Sequence, residues 1–289
     1  MTDRVPPGQE LSALTVRDVV AVIEALYPAS LAAEWDSIGL ICGYPSAPVR
    51  SILLAVDASE EVGDEALRLG ASLLVTHHPL FLSGVTSVAA DTSKGRLLHR
   101  LVRADVALFN AHTNADSASP GVSDALAAAL GIVDLAPLQA VPGGSAAEGL
   151  GRVGRLLEPV TLGDFVDRVA RALPTTARGA AVSGDLGAIV SRAAVCGGSG
   201  DFLLAAANAS GADVFVTADL RHHRVAEHRD DGGCALVDVA HWASEWPWLE
   251  SAAALLGAEL ARLPGGDDIE IVVSRLCTDP WAPQRHSAE

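Results

Sequence analysis

Residues 71–82 read ASLLVTHHPLFL, an apolar run that ends on two adjacent histidines and a proline. Leu73, Leu74 and Val75 read as a buried strand, and Pro79 stops its pairing because it has no N–H to donate. His77 and His78 therefore fall where the strand ends. Upstream, SILLAVDAS (51–59) reads as a second strand and EEVGDEALRLG (60–70) as a helix closed by Gly70. Downstream, VALFNAHTNAD (106–116) is a strand running into His112 and Asp116. Strands alternating with helices predict an α/β fold with mostly parallel pairing and polar sites at the C-terminal strand ends.

The pattern then recurs. RAAVCGGSG (192–200) reads as a strand into a glycine turn, DFLLAAANASG (201–211) as a helix, and ADVFVTADL (212–220) as the strand matching LLVTHH. CALVDVAHWASE (234–245) ends on His241 and Glu245, as the earlier strand ends on His112 and Asp116. Thr15 and Thr161 each open a helix of the same pattern, TVRDVVAVIEAL and TLGDFVDRVARAL. These parallels predict an internal duplication, two similar α/β lobes with a metal site at strand ends between them. The expected division gives residues 1–135 to the first lobe, completed by about 237–289, and residues 136–236 to the second. The stretch 136–151, rich in Gly, Pro and Ala, reads as the link.

His77, His78, Asp116, His241 and Glu245 form a mixed nitrogen and oxygen donor set that suits Zn, Fe, Mn or Ni without choosing among them. Neighbouring residues on an extended chain point to opposite sides, so His77 and His78 serve two ions more easily than one. Two divalent ions about 3.5–4 Å apart, bridged by a carboxylate such as Glu245, are the economical arrangement. His112 is a candidate for orienting Asp116 or touching substrate. Trp35 and Asp36 either line the pocket mouth or serve as a core Trp and a turn Asp, and CGGSG (196–200) either cradles a phosphate or is a bare turn. His222 and His223 read as pocket or structural residues more readily than as ligands. His99, His228 and His286 read as hydrogen-bonded structural histidines.

The net charge of −16 argues against a nucleic-acid partner. Four cysteines without metal or redox spacing suggest a reducing, cytoplasmic setting. No stretch reaches the ~20 apolar residues of a membrane span.

The segments EWDSIGL, THHPLF, AHTNAD, GLGRVG, CGGSGDFLLAAANASGADVFVTAD and DVAHWASE together resemble the NIF-three-like dinuclear metal-centre family, whose members carry the name GTP cyclohydrolase 1 type 2 homologue. The resemblance implies that His78 and Asp116 bind one metal, that His77 and His241 bind the other, and that Glu245 bridges. It implies a ring-shaped homohexamer and hydrolytic opening of a purine ring. Some members carry an inserted mid-chain domain, for which residues 174–191 are too short. Ser37 stands where the family usually has Asn, and Ala218 and Ala240 where it usually has Gly. The residues themselves support metal-assisted hydrolysis in general, and with the resemblance the leading expectation is a metal-dependent hydrolase of a nucleotide-like or small phosphorylated substrate. The alternative is a non-catalytic metal-binding assembly protein.

Overall fold

The computed structural model describes residues 13–281. Helix α1 (Val16–Leu26) opens at Thr15, whose hydroxyl accepts from the Asp18 N–H while the Asp18 carboxylate accepts from Thr15 N–H. There follow β1 (Gly39–Cys42), β2 (Ser51–Ala55), α2 (Glu60–Leu69), β3 (Leu73–Thr76), α3 (Ser93–Arg103) and β4 (Ala107–Asn110). Short α4 (Thr113–Ser117) and α5 (Val122–Ala129) lead to the long strands β5 (Ile132–Ala140) and β6 (Gly149–Thr161). After α6 (Leu162–Ala172) come β7 (Ala181–Ser183), β8 (Ile189–Ser199), α7 (Leu204–Ala209), β9 (Val214–Ala218), α8 (His222–Asp230) and β10 (Ala235–Val239). Helix α9 (His241–Leu260) and β11 (Glu270–Val273) complete the described chain.

Two sheets result. The first has the order β1-β4-β3-β2-β11, parallel except for β1. The second has the order β5-β6-β8-β9-β10-β7, with parallel pairing confined to β8, β9 and β10. The three parallel strands β2-β3-β4 and the three β8-β9-β10 share the same strand–helix connectivity. Each is buried on both faces, which explains their continuous apolar runs. Ile52, Leu54, Leu73, Val75 and Phe109 face a central core, and Leu53, Leu74 and Leu108 face α2 and α3 on the outside. In the second sheet Val195, Val214, Val216 and Val237 face the same central core, and Ala194, Phe215 and Leu236 face outward to α7. The period-two alternation thus fills one shared core and two satellites.

Helices α1, α5, α6 and α9 fill the space between the sheets through Val19, Ile23, Leu126, Phe165, Trp248 and Leu256. Each such side chain contributes about 1.5–3 kcal/mol by leaving water.

The expected link corrects to secondary structure. Most of residues 136–151 belongs to the antiparallel hairpin of β5 and β6, paired from Ile132↔Leu156 to Ala140↔Gly149. Its Gly and Pro residues mark a turn and bulges, because a strand pair tolerates them there. The division at 135/136 falls inside β5, and β10 pairs within the second sheet while β11 returns to the first.

Candidate metal centre

The site lies where strand ends of both sheets converge. The backbone ladder of β3 on β2 continues past its last assigned residue. His77 N–H donates to the Ala55 carbonyl at 3.1 Å and His78 N–H to the Val56 carbonyl at 2.8 Å. This keeps the two histidines extended and separates their environments. His77 is fully buried, its ring 5.3 Å from that of Trp248, whereas His78 is partly open to a cleft. After β4 the chain turns at His112 into α4, which carries Asp116. After β10 it turns at Ala240 into α9, where His241 and Glu245 share a face because they are four residues apart.

Glu245 is the hub. One of its oxygens, Oε1, lies 2.9 Å from His241 Nε2 and 3.5 Å from His77 Nε2. The other, Oε2, lies 3.2 Å from His78 Nε2. Asp116 Oδ1 approaches His77 Nε2 at 3.7 Å, and His78 Nε2 is 3.3 Å from His241 Nε2. His77, His78 and His112 form one group whose possible ligand atoms lie within 4.8 Å of one another, and His78, His241 and Glu245 form another. All five expected ligands thus meet. His77 is the neighbour of Asp116, and His78 is the neighbour of His241.

Every imidazole is anchored through Nδ1. His77 is held by the Ala111 carbonyl at 2.9 Å, His78 by Asp57 at 2.7 Å, His241 by Asp219 at 2.6 Å and His112 by Asp36 at 2.9 Å. These contacts fix ring orientation and leave Nε2 facing the cluster. Asp36 is itself gripped by the Thr113 N–H and hydroxyl. The sequence reading missed Asp57 and treated Asp219 only as the counterpart of a histidine. Asp57 lies two residues past β2 and Asp219 immediately past β9, and that strand-end position was the available signal. Asp219 also adopts φ +57, an uncommon backbone for a residue with a side chain.

Burial opposes ionisation of Glu245, yet the imidazoles of His78, His241 and His77 outweigh it and hold the carboxyl well below its ordinary range. Burial likewise pushes the histidines down, but Glu245 with Asp116 raises His77, Glu245 with Asp57 raises His78 well up, and Glu245 with Asp219 takes His241 to about 9. Asp116 is pushed up to about 6 by burial and by Glu245, against the pull of His77. His112 goes the other way, to about 4, through burial and the neighbouring His77. Protonated imidazoles here do the neutralising that a cation could do. His77 Nε2 and Glu245 Oε2 are buried without a hydrogen-bond partner, a costly condition that an ion would relieve.

The CGGSG segment is neither a bare turn nor a phosphate cradle at its two central glycines. Gly197 N–H donates to Ser123 Oγ and Gly198 N–H to Ser244 Oγ, so both amides are engaged within the protein. The glycines let the backbone of β8 pass against the cluster. A Cβ on Gly198 would sit 2.4 Å from Glu245 Oε1.

Arg152 of the GLGRVG segment also escaped notice. It is buried, donates to both oxygens of Asp124 and to the carbonyls of Gly149, Gly151 and Ala118, and so ties β6 to the turn that follows Asp116. His222 and His223 begin α8 with exposed, mutually packed rings, away from the cluster. His228 is buried with its ring nitrogen 3.0 Å from the Cys234 carbonyl, and His99 is exposed on α3. His286 lies outside the described residues.

Two clefts reach the cluster. One, of about 600 Å³, is bounded by Trp35, Asp116, Gln139, Phe202 and Glu245; the other, of about 790 Å³, by Asp57, His78, Lys94, Asp219 and Trp281. His112 and His241 line both.

The fold and the cluster define a two-sheet α/β protein with a buried histidine–carboxylate group suited to divalent cations. The chain belongs to the Duf34/NIF3 (NGG1p interacting factor 3) family, whose pattern matches residues 14–280. It is 50% identical over 274 residues to a GTP cyclohydrolase 1 type 2 homolog of Streptomyces coelicolor, covering 94% of this chain and 95% of that protein. A GTP cyclohydrolase 1 type 2 homolog of Clostridium perfringens is 32% identical over 273 residues, covering 93% of this chain and 99% of that one. The crystal structure of a Bacillus cereus protein related to NIF3 superposes with a TM-score of 0.84 at 26% identity, over 95% of this chain and 100% of that chain. No helix among the described residues is long and apolar enough to cross a membrane.

Proposed function

We propose that the cluster holds two divalent metal ions and that the protein is a metal-dependent hydrolase of a nucleotide-like or other small molecule. In this reading His77, His78, Asp116 and His241 would hold the ions, with Glu245 as the carboxylate shared among them. The single observation that carries the reading is the orphaned pair of buried atoms, His77 Nε2 and Glu245 Oε2, inside a donor set whose Nδ1 nitrogens are all anchored. Ions bound there would supply Lewis-acid chemistry and make hydroxide available near neutral pH. The chain's own part is to orient. Ala111, Asp57 and Asp219 fix the three ligand rings, and Asp36 holds His112 so that its Nε2 faces the reacting space. Burial pushes His112 down, to about 4, so with Nδ1 held by Asp36 its Nε2 can accept a hydrogen bond from substrate or water.

The shared connectivity of β2-β3-β4 and β8-β9-β10 supports an internal duplication with the site between the copies. Exposed Tyr44, Leu157, Ile189 and Trp281 support a homo-oligomer, with a hexamer as the expected state. Four free cysteines support a cytoplasmic setting.

Elemental analysis with turnover measurements tests the reading. Two ions per chain and metal-dependent hydrolysis are expected, both reduced in His78→Ala and Glu245→Gln while the far-ultraviolet circular dichroism is unchanged. Two ions per chain without turnover of any nucleotide, nucleoside or phosphoester would leave the non-catalytic assembly role. A metal ratio near zero after reconstitution would remove both.

A further inference from the structure

The cleft of about 600 Å³ beside Glu245 carries information about the substrate. Among the described residues that line it there is no lysine and no arginine. Its charged members are Asp116 and Glu245, and its imidazoles are His112 and His241 of the cluster itself. Arg152 lies behind the lining Gly151, but it is buried and all five of its donors are engaged by Asp124 and three carbonyls. The second cleft offers one basic side chain, Lys94, against Asp57, Asp219 and Asp279. The whole chain carries a net charge of −16. A nucleoside triphosphate would bring several negative charges into a cleft with no arginine or lysine fork, leaving only ions held at the cluster itself to receive them.

What the cleft does offer is flat apolar surface with neutral polar groups. Trp35 is 62% exposed at one side, its ring 6.0 Å from that of His112, and Phe202 is 52% exposed within the same lining. Large aromatic side chains left open beside a polar cluster are stacking surfaces for a planar ring. Gln139 and Ser30 add neutral hydrogen-bonding groups on the lining.

From this we infer that the cleft takes an uncharged, flat heterocycle of the nucleobase or nucleoside class, seated against Trp35 and Phe202 with its reactive edge toward Glu245, and that it discriminates against nucleoside triphosphates. The inference rests on the hydrolase reading only in assigning that edge as the group to be hydrolysed; the binding preference follows from the cleft.

The test is calorimetric titration of the full-length, metal-loaded protein with guanosine, adenosine and GTP, repeated with Trp35→Ala and Phe202→Ala. At least one nucleoside is expected to bind at least about tenfold more tightly than GTP. Each substitution should weaken that binding by about tenfold, the effect of losing one stacking partner, with the metal content unchanged. Both side chains are largely exposed, so the variants keep the core intact. GTP binding as tight as the nucleosides, no binding of either nucleoside, or wild-type affinity in both variants would overturn the inference. A chelator-treated arm separates it from the hydrolase reading. Nucleoside binding that depends on Trp35 but is never followed by turnover sinks the hydrolase reading alone. Turnover with a preference for GTP sinks the present inference alone.

Discussion

Gly198→Ala and Gly70→Ala impose the same local backbone penalty in two different surroundings. Gly70 closes α2 at φ +64, and a Cβ there would meet nothing within 4 Å. Gly198 sits at φ +67, and its Cβ would lie 2.4 Å from Glu245 Oε1 and 3.0 Å from His241 Nε2. The left-handed backbone costs an alanine about 1–2 kcal/mol at either position. At Gly70 nothing is added, so the melting temperature should fall by roughly 2–8 °C, taking ~2–4 °C per kcal/mol. At Gly198 the carboxylate must move, and Glu245 is 3% exposed and hemmed in by three imidazoles. Overpacking of that kind adds about 1–3 kcal/mol, for a total near 2–5 kcal/mol. Displacing the shared carboxylate should also cost at least about tenfold in metal affinity, the scale on which even supporting groups of metal sites act. Urea denaturation of the metal-free variants measures the first effect, and competition with a chromophoric chelator measures the second. If Gly198→Ala binds divalent metal as tightly as Gly70→Ala does, Glu245 does not hold the metal and the hub assignment fails.

Arg152→Met should destabilise the protein by about 3 kcal/mol, because it leaves the largely buried Asp124 carboxylate and three carbonyls without their donor; a loss below about 1 kcal/mol in chemical denaturation would show that water replaces the guanidinium at no cost. In the metal-free protein, His241 titrates at about 9 when folded against 6.5 as its ordinary value, and His77 and His78 are raised as well. The stabilisation from His241 is therefore complete below pH 6.5 and is lost as the pH rises through about 9, and His77 and His78 act in the same direction. Metal ions compete with those protons, so the loaded protein should keep its stability over the same window while the chelated protein loses it. Thermal melts of both forms from pH 6.5 to 9 check this, and a chelated protein that grows more stable with rising pH would contradict the charge assignment.

The parallel strands were legible because burial on both faces leaves an uninterrupted apolar run, as in Leu73–Val75 and Val214–Val216. Helix ends were legible where a side chain caps locally, as at Thr15 and Thr161, or where a glycine takes the left-handed backbone, as at Gly70. The hairpin of β5 and β6 was not legible. Its Gly- and Pro-rich turn has the composition of a linker, and its pairing partners lie up to two dozen residues apart, as Ile132 and Leu156 do. The need for Gly198 was equally opaque, since it is set by Glu245 from a distant helix.

By itself the sequence determined which side chains end the strands, and hence that His77, His78, Asp116, His241 and Glu245 converge, because strand-end position is a local property of the chain. Only the tertiary structure decided how they are arranged. That His77 faces Asp116 while His78 faces His241, and that Asp57, Asp219 and Asp36 steer the rings, depends on contacts such as that between His78 and His241, 163 positions apart in sequence. No local propensity encodes such contacts; the packing of two sheets around one shared core sets them.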